Sequence, residues 1–394
     1  MASMDMAHSA TPDPQRQRRA RRYARLRRRL GLLELLLFAA YLGAWLALRL
    51  GPGLQGWLNR TWGPSPWWLE LMAVAVAMGL LWQPIGLPLD YCRSFILPHR
   101  FGLSNQTLAG WLADTAKSMA LTTCLGGAVL LGLYALMRAT PSLWWLWAGL
   151  GYSLLTAVLT TLAPVLILPI FFKQRPLGEE HAALRQRLME LAQRAGTQVE
   201  GVYSLDMSRR TKTANAGLVG MGRTRRILLG DTLLQQFEPQ EIEVVLAHEL
   251  GHHAQRDIPL FIIVQTGLNL LLLLLAARGL PPAAAALGLA SPADPAGLPL
   301  LIAMLGGLAL LAIPLGNAFS RWRERLADDF ALRLTANPRA FIQAMVRLAD
   351  LNLAEADPER WVVLLLASHP PIGDRIRAAR AFMTRTQGLR VQGS

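Results

Sequence analysis

Residues 238–257, EPQEIEVVLAHELGHHAQRD, run directly into residues 258–277, IPLFIIVQTGLNLLLLLLAA. The first part is polar and opens on Glu238-Pro239. Proline is favoured in the first turn of a helix, so a helix is predicted from there to about Asp257. The second part is twenty residues without Asp, Glu, Lys or Arg. That is long enough to cross a hydrocarbon core of about 30 Å. Two histidines four residues apart therefore sit on a helix joined end to end with a membrane span.

Five more runs read the same way: Leu30–Leu50, Trp67–Leu87, Met119–Met137, Leu143–Phe172 with Pro164 and Pro169 near its end, and Leu298–Phe319. The composition agrees. Of 394 residues, 53% are hydrophobic and only 17% charged, which excludes an ordinary soluble globule and a disordered chain. Two cysteines, Cys92 and Cys124, cannot build a disulfide framework or a four-cysteine zinc site. The net charge of +14 includes nine arginines between Arg16 and Arg29, just before the first span. A basic tail can mean nucleic acid, but beside a span the positive-inside rule is the simpler cause. The expected partner is the lipid bilayer and not nucleic acid. The apolar run is too long for a cleaved signal peptide, so a retained anchor is expected.

Basic residues are sparse after the first, third and fifth spans and frequent after the second, fourth and sixth. An N-in start then puts 88–118, 173–257 and 320–394 on the cytoplasmic side. Trp57, Trp62, Trp67 and Trp68, with Trp144, Trp145 and Trp147, form an aromatic belt at the opposite interface. The chain divides into a basic tail (1–29), spans one to four (30–172), a polar segment (173–257), spans five and six (258–319) and a C-terminal helical segment (320–394). Within 173–257 an amphipathic helix is predicted at Glu179–Gly196, strands at Val199–Leu205 and Arg226–Leu229, and an edge strand at Ala214–Val219. Helices are predicted at Ser320–Thr335, Pro338–Leu353 and after Pro371, and 281–298 reads as a low-complexity outer connection.

His248-Glu249-Leu250-Gly251-His252 is an H-E-x-x-H motif. On a helix the two imidazoles share a face and reach one metal, and Glu249 lies beside it, placed to take a proton from an activated water. Zinc brings the pKa of such a water to about 7. Ala247 and Gly251 are small and clear space around the ligands. A catalytic zinc needs a third protein ligand. The best candidate is Glu324, with Asp328 four residues on to hold the second nitrogen of a ligating His. Spacing alone leaves this open against a charged, solvated helix start. His253 is predicted to point away from the metal. His369-Pro370-Pro371 alone would be a helix stop, and Arg375 alone a solvated charge.

Taken together, these blocks resemble the M48 metallopeptidases, most closely the CAAX prenyl protease 1 family in its prokaryotic form. The likeness is carried by His248–His252, by Ser320-Arg321-x-x-Glu324-x-x-Ala327-Asp328, and by Asn215-Ala216 through Arg226–Leu234. It extends to His99–Thr107 and to His369-Pro370-Pro371 with Arg375. It implies a mainly α, polytopic membrane protein of about six spans with a gluzincin-type zinc protease domain holding a small β-sheet. It also implies one Zn²⁺ per chain on His248, His252 and Glu324, with Glu249 as general base and Asp328 behind the ligands. Asn215 and Ala216 are implied to lie on an edge strand that pairs with substrate. Backbone pairing along Asn215, Ala216 and Gly217 would fix its register. His369 and Arg375 are implied to approach the substrate or its oxyanion, and the spans to enclose a water-filled cavity. The substrate expected is a peptide or protein, with C-terminal CAAX tripeptides of prenylated proteins as one class. Eukaryotic members carry a further N-terminal span, so the chemistry transfers more firmly than the lipid requirement. The expected location is a bacterial inner membrane with the site facing the cytoplasm. Other readings are an HtpX-like quality-control protease or a scaffold with structural zinc. A site-2-type intramembrane protease fits less well, because charged residues flank the motif and no Asn-Pro-Asp-Gly loop exists.

Overall fold

The computed structural model describes residues 11–220 and 225–392. The first ten residues of the predicted tail and the last two of the C-terminal segment lie outside the described residues. Among the described residues, six helices are long and apolar enough to cross a membrane. The first, α1 (Pro14–Ala47), is followed by the short α2 (Leu50–Trp62). The second is α3 (Trp67–Asp90), prolonged by a π-helical turn, Tyr91–Ile96, to Arg100. The third and fourth are α4 (Leu108–Ala139) and α5 (Trp144–Leu166). After β1 (Gln174–Pro176), α6 (Ala182–Arg194), β2 (Gly201–Leu205), β3 (Ala216–Val219), β4 (Arg226–Gly230) and α7 (Asp231–Gln236) comes α8 (Pro239–Ala254), the helix of the paired histidines. The last two spans belong to α9 (Asp257–Ala286) and α10 (Leu298–Thr335); α11 (Pro338–Leu351), α12 (Arg360–Leu365) and α13 (Ile372–Gln392) complete the chain.

Several elements differ from the sequence expectation. The arginine-rich stretch is helical from Pro14, continuous with the span, because arginine is a good helix former and Asp13 caps the end by accepting from the Gln15 amide. This end is docked rather than free: Gln17 donates to Ala354 O (3.2 Å) and accepts from Ala356 N (3.0 Å), and Arg28 pairs with Glu355 at 3.0 Å. The long fourth span stops at Leu166, and Leu168–Phe171 forms a separate turn with Pro169 in its first turn, since proline has no amide N–H to continue the preceding helix. The connection 281–298 is half structured: α9 runs on to Ala286 through the alanine run, and Ala293 and Leu298 are buried in one core with Leu42, Trp45 and Leu71. The last span and the segment after it are one 38-residue helix, about 57 Å long at 1.5 Å per residue.

The sheet has strand order β1-β2-β4-β3, with β2 and β4 parallel and both outer pairs antiparallel. Ile227 and Leu229 of β4 are fully buried beside Leu188 of α6, Leu246 and Leu250 of α8 and Phe341 of α11, in one apolar core. β3 pairs with β4 alone, Ala216 opposite Leu229 and Val219 opposite Arg226, which leaves its other edge unpaired among the described strands. The connection between the second and third spans supports the loop before β3. Ser104 bridges Thr211, Lys212 N donates to Leu103 O (2.9 Å), and Arg210 makes a two-point ion pair with Asp114 of α4 (2.7 and 2.9 Å). His99 bonds both Phe95 O and Gln106 O and closes that connection.

Helices α8 and α10 pack closely against each other. A Cβ added to Gly251 would lie 3.1 Å from Ala327 Cα and 3.2 Å from both Ala327 O and Phe330 Cδ1. Two backbones can approach this far only where both residues are small. Gly251→Val is therefore expected to destabilise the protein by about 1–3 kcal/mol through overpacking, and Gly251→Ala by less. Thermal unfolding of detergent-solubilised protein checks the order.

Candidate metal centre and active site

Helix α8 begins with a capping box in which Glu238 and Glu241 each satisfy the other's backbone end. Glu241 is buried and also pairs with Arg347 of α11 at 3.1 Å, which fixes the start of the helix against the core. Two turns on, His248 and His252 point to the same side. Their Nε2 atoms are 3.3 Å apart. Glu324 of α10 reaches them from across the Gly251–Ala327 contact: Oε2 is 3.2 Å from His248 Nε2 and Oε1 is 3.5 Å from His252 Nε2. Glu324 Oε2 is buried and lacks hydrogen-bond geometry to any neighbour despite this closeness. Three potential donor atoms that converge on one point are what a metal ion requires. The spacing fits as well, because a tetrahedron with bonds of about 2.0–2.1 Å has edges of about 3.3–3.4 Å. These three form the one His/Cys/Asp/Glu group among the described residues able to hold a metal ion.

Each imidazole is held from behind. His248 Nδ1 lies 2.9 Å from Asp328 Oδ1, and His252 Nδ1 lies 2.7 Å from Asp257 Oδ2. A carboxylate only accepts, so both Nδ1 atoms carry a proton, and the Nε2 of each ring is the nitrogen left facing the centre to bind a metal. The carboxylates are themselves fixed by arginines. Arg375 of α13 binds Asp328 through Nε (2.8 Å) and Nη2 (2.5 Å), and Arg323 of α10 binds Asp257 through Nε at 2.6 Å. Asp257 and Arg323 carried no signal in the sequence. Asp257 reads there as the polar end before a span. It turns back on His252 because Arg256 adopts a left-handed conformation, φ 53°, between α8 and α9.

Burial pulls the His248 imidazole down, yet its bonds to Asp328 and Glu324 prevail and bring it to about 9 in the metal-free protein. His252 is likewise opposed by burial and raised by Glu324 and Asp257. Burial raises the Glu249 carboxyl, which lies within the field of both histidines and Arg375. His253 is on the other side of the helix; burial lowers its pKa, and it hydrogen-bonds the Leu218 backbone of β3. It thereby ties the edge strand to the histidine helix.

The remaining expected residues fall at different distances from the centre. His369 is exposed, with Nε2 3.3 Å from Glu324 Oε1, on the open side. Arg375 is buried against Asp328, its Nη2 3.3 Å from His248 Nδ1, so its contacts lie behind the ligands. Asn215 precedes β3; its carbonyl accepts from Gly230 N, while Gly217 lies in the middle of the strand with no atom near the place of a Cβ. A cavity of about 350 Å³ adjoins His252 and Asp257. It is walled by Thr156 and Thr160 of α5 and by Ile258, Phe261, Ile262 and Gln265 of α9.

Comparison with known proteins agrees with this geometry. The model of peptidase family M48 matches residues 179–383. A second family model, described as CAAX prenyl protease N-terminal with five membrane helices, matches residues 6–173, where this chain has four helices of spanning length among the described residues. The uncharacterized metalloprotease YhfN of Bacillus subtilis is 29% identical over 79% of this chain and 73% of its own length. CAAX prenyl protease 1 of Saccharomyces cerevisiae is 34% identical over 44% of this chain, which spans only 38% of that protein. The crystal structure of S. mikatae Ste24p shares the fold, with a TM-score of 0.80 and 22% identity over 95% of this chain and 93% of that one. The match over more than half the chain, the membrane-spanning helices and the converging donors lead to one conclusion: the chain belongs to peptidase family M48 and is an integral membrane metalloprotease.

Proposed function

We propose that this protein is a zinc endopeptidase of a bacterial inner membrane, with its site at the cytoplasmic face, cleaving near the C terminus of lipidated CAAX-type substrates. The observation that carries the chemistry is the convergence of two imidazoles and one carboxylate, with no fourth ligand in the group among the described residues. Three protein ligands distinguish a catalytic zinc from a closed structural one. Zinc held by His248, His252 and Glu324 would supply Lewis acidity toward the scissile carbonyl and toward water. Glu249, its carboxyl raised by burial, would accept the proton of the attacking water and pass it to the leaving amine. His369, exposed beside Glu324, is placed to donate to the developing oxyanion. Arg375 would act through Asp328, keeping His248 in its ligating tautomer. The free edge of β3, with Asn215, Ala216 and Gly217, would receive the substrate backbone as an added strand. The nine arginines preceding the first span support the cytoplasmic orientation. The match to the CAAX protease N-terminal model favours this substrate class over general quality control. Incubating purified protein with farnesylated and unmodified CAAX peptides, with and without chelator, tests the reading. Mass spectrometry should show chelator-sensitive release of a C-terminal tripeptide, faster from the lipidated peptide.

Glu249→Gln is expected to retain a full complement of zinc, by elemental analysis, while cleavage falls about 10²–10⁴-fold. Asp257→Asn or Asp328→Asn should instead weaken zinc binding about 10–100-fold, read by competition with a fluorescent chelator. Zinc uptake must displace the proton of His248, whose pKa lies at about 9 against 6.5 for a free imidazole. Affinity should therefore rise with pH across that interval, with proton release measurable by calorimetry in buffers of different ionisation enthalpy. In the metal-free protein the same proton stabilises the fold fully below 6.5, and its contribution is lost as pH rises through about 9.

A further inference from the structure

Helix α12 carries its large apolar side chains outward. Trp361, Leu364, Leu365 and Leu366 are 50%, 61%, 46% and 52% exposed, whereas Val362 is buried. Residues 361, 364 and 365 share one helix face, so an apolar face of the helix is turned away from the protein. No Asp, Glu, Lys or Arg occurs from Trp361 to Gly373. A contiguous apolar patch of this kind marks a contact with something other than water.

The depth of the helix indicates what that contact is. Asn317 of α10 donates to Leu365 O (3.0 Å), and Arg321, one turn on, donates to Ala367 O (2.6 Å). Residue 317 lies within the final apolar turn of the sixth span. Phe319 packs on Phe261 of α9, at ring centroids 5.0 Å apart, so the polar-side ends of the fifth and sixth apolar runs lie side by side at this level. The outward patch of α12 thus adjoins the face of α10 that carries Asn317, where Leu310 is 46% and Ile313 is 43% exposed along the sixth span.

We propose that α12 is an interfacial helix whose occupant is the headgroup–hydrocarbon boundary of the bilayer, and that this anchorage seats His369, three residues beyond Leu366, at the membrane surface beside Glu324. An interfacial helix of this type buries its apolar face about 5–10 Å into that boundary. The consequence for function, which rests on the protease reading above, is that substrates tethered to the membrane reach the metal centre along the bilayer plane, past α12. Trp361 would sit at the headgroup level, as interfacial tryptophans do.

The depth is read directly by spin labels at Leu364→Cys and Leu366→Cys in a Cys92→Ser/Cys124→Ala background, reconstituted in phosphatidylcholine vesicles. Arg333→Cys, a site 72% exposed on the polar end of α10, serves as the aqueous control. Labels at 364 and 366 should collide with oxygen more than with a water-soluble nickel chelate, and the label at 333 the reverse. Nickel accessibility at 364 and 366 equal to that at 333 overturns the proposal, whether or not the protein cleaves anything. In the intact enzyme, Leu364→Asp/Leu366→Asp should slow cleavage of a vesicle-anchored farnesyl peptide at least about tenfold and leave a detergent-dispersed unmodified peptide within about twofold. Equal loss on both peptides, or loss on neither, also overturns it.

Discussion

The metal centre depends on one close approach, the crossing of α8 and α10 at Gly251 and Ala327. His248 and His252 are on one helix and Glu324 is on the other, 72 positions after His252 and reached only through this contact. Because both backbones are rigid helices, their separation sets the distance between imidazole and carboxylate directly. A larger residue at either position would move Glu324 by tenths of an ångström, on the scale at which coordination geometry is decided. The small residues beside the histidines thus have a packing reason as well as a chemical one.

Around that crossing the ligands are held by two matching chains, His248–Asp328–Arg375 and His252–Asp257–Arg323. Each consists of an imidazole, a carboxylate and a guanidinium, so each buried charge has a partner and each histidine has its tautomer assigned. The two chains come from different parts of the fold. One uses α13, near the C terminus, and the other the junction of α8 with the fifth span. The centre therefore closes only when the polar segment, the last two spans and the C-terminal helices have assembled.

The same helices bind the centre to the membrane. α10 passes without interruption from the sixth span to Glu324 and Asp328, and α9 starts at Asp257, itself a partner of His252. Neither the height of the site nor its orientation relative to the bilayer can drift independently of the spans. The 350 Å³ cavity beside His252 continues between α5 and α9, so the space next to the ligands is walled by membrane helices. On the other side, the edge of β3 is braced by His253 and by the connection between the second and third spans.

The amino-acid sequence by itself determined the six apolar runs, the H-E-x-x-H helix and the strands around Gly201–Leu205 and Arg226–Gly230. These are local properties, written in hydropathy, period and spacing. The motif also named His248, Glu249 and His252, since two ligands and a base on one turn are a local pattern. Glu324 and Asp328 were legible only in part, because spacing on an Arg-rich helix looks the same for a ligand and for a solvated charge. Tertiary structure alone decided that Asp257 turns back on His252, that Arg323 and Arg375 serve carboxylates, that the arginine-rich start of α1 docks on the C-terminal segment, and that α12 turns its leucines outward. The return of Asp257, only five residues on, depends on the backbone of Arg256; the others depend on which groups meet across tens or hundreds of residues, and a one-dimensional pattern of charge and apolarity does not encode a meeting.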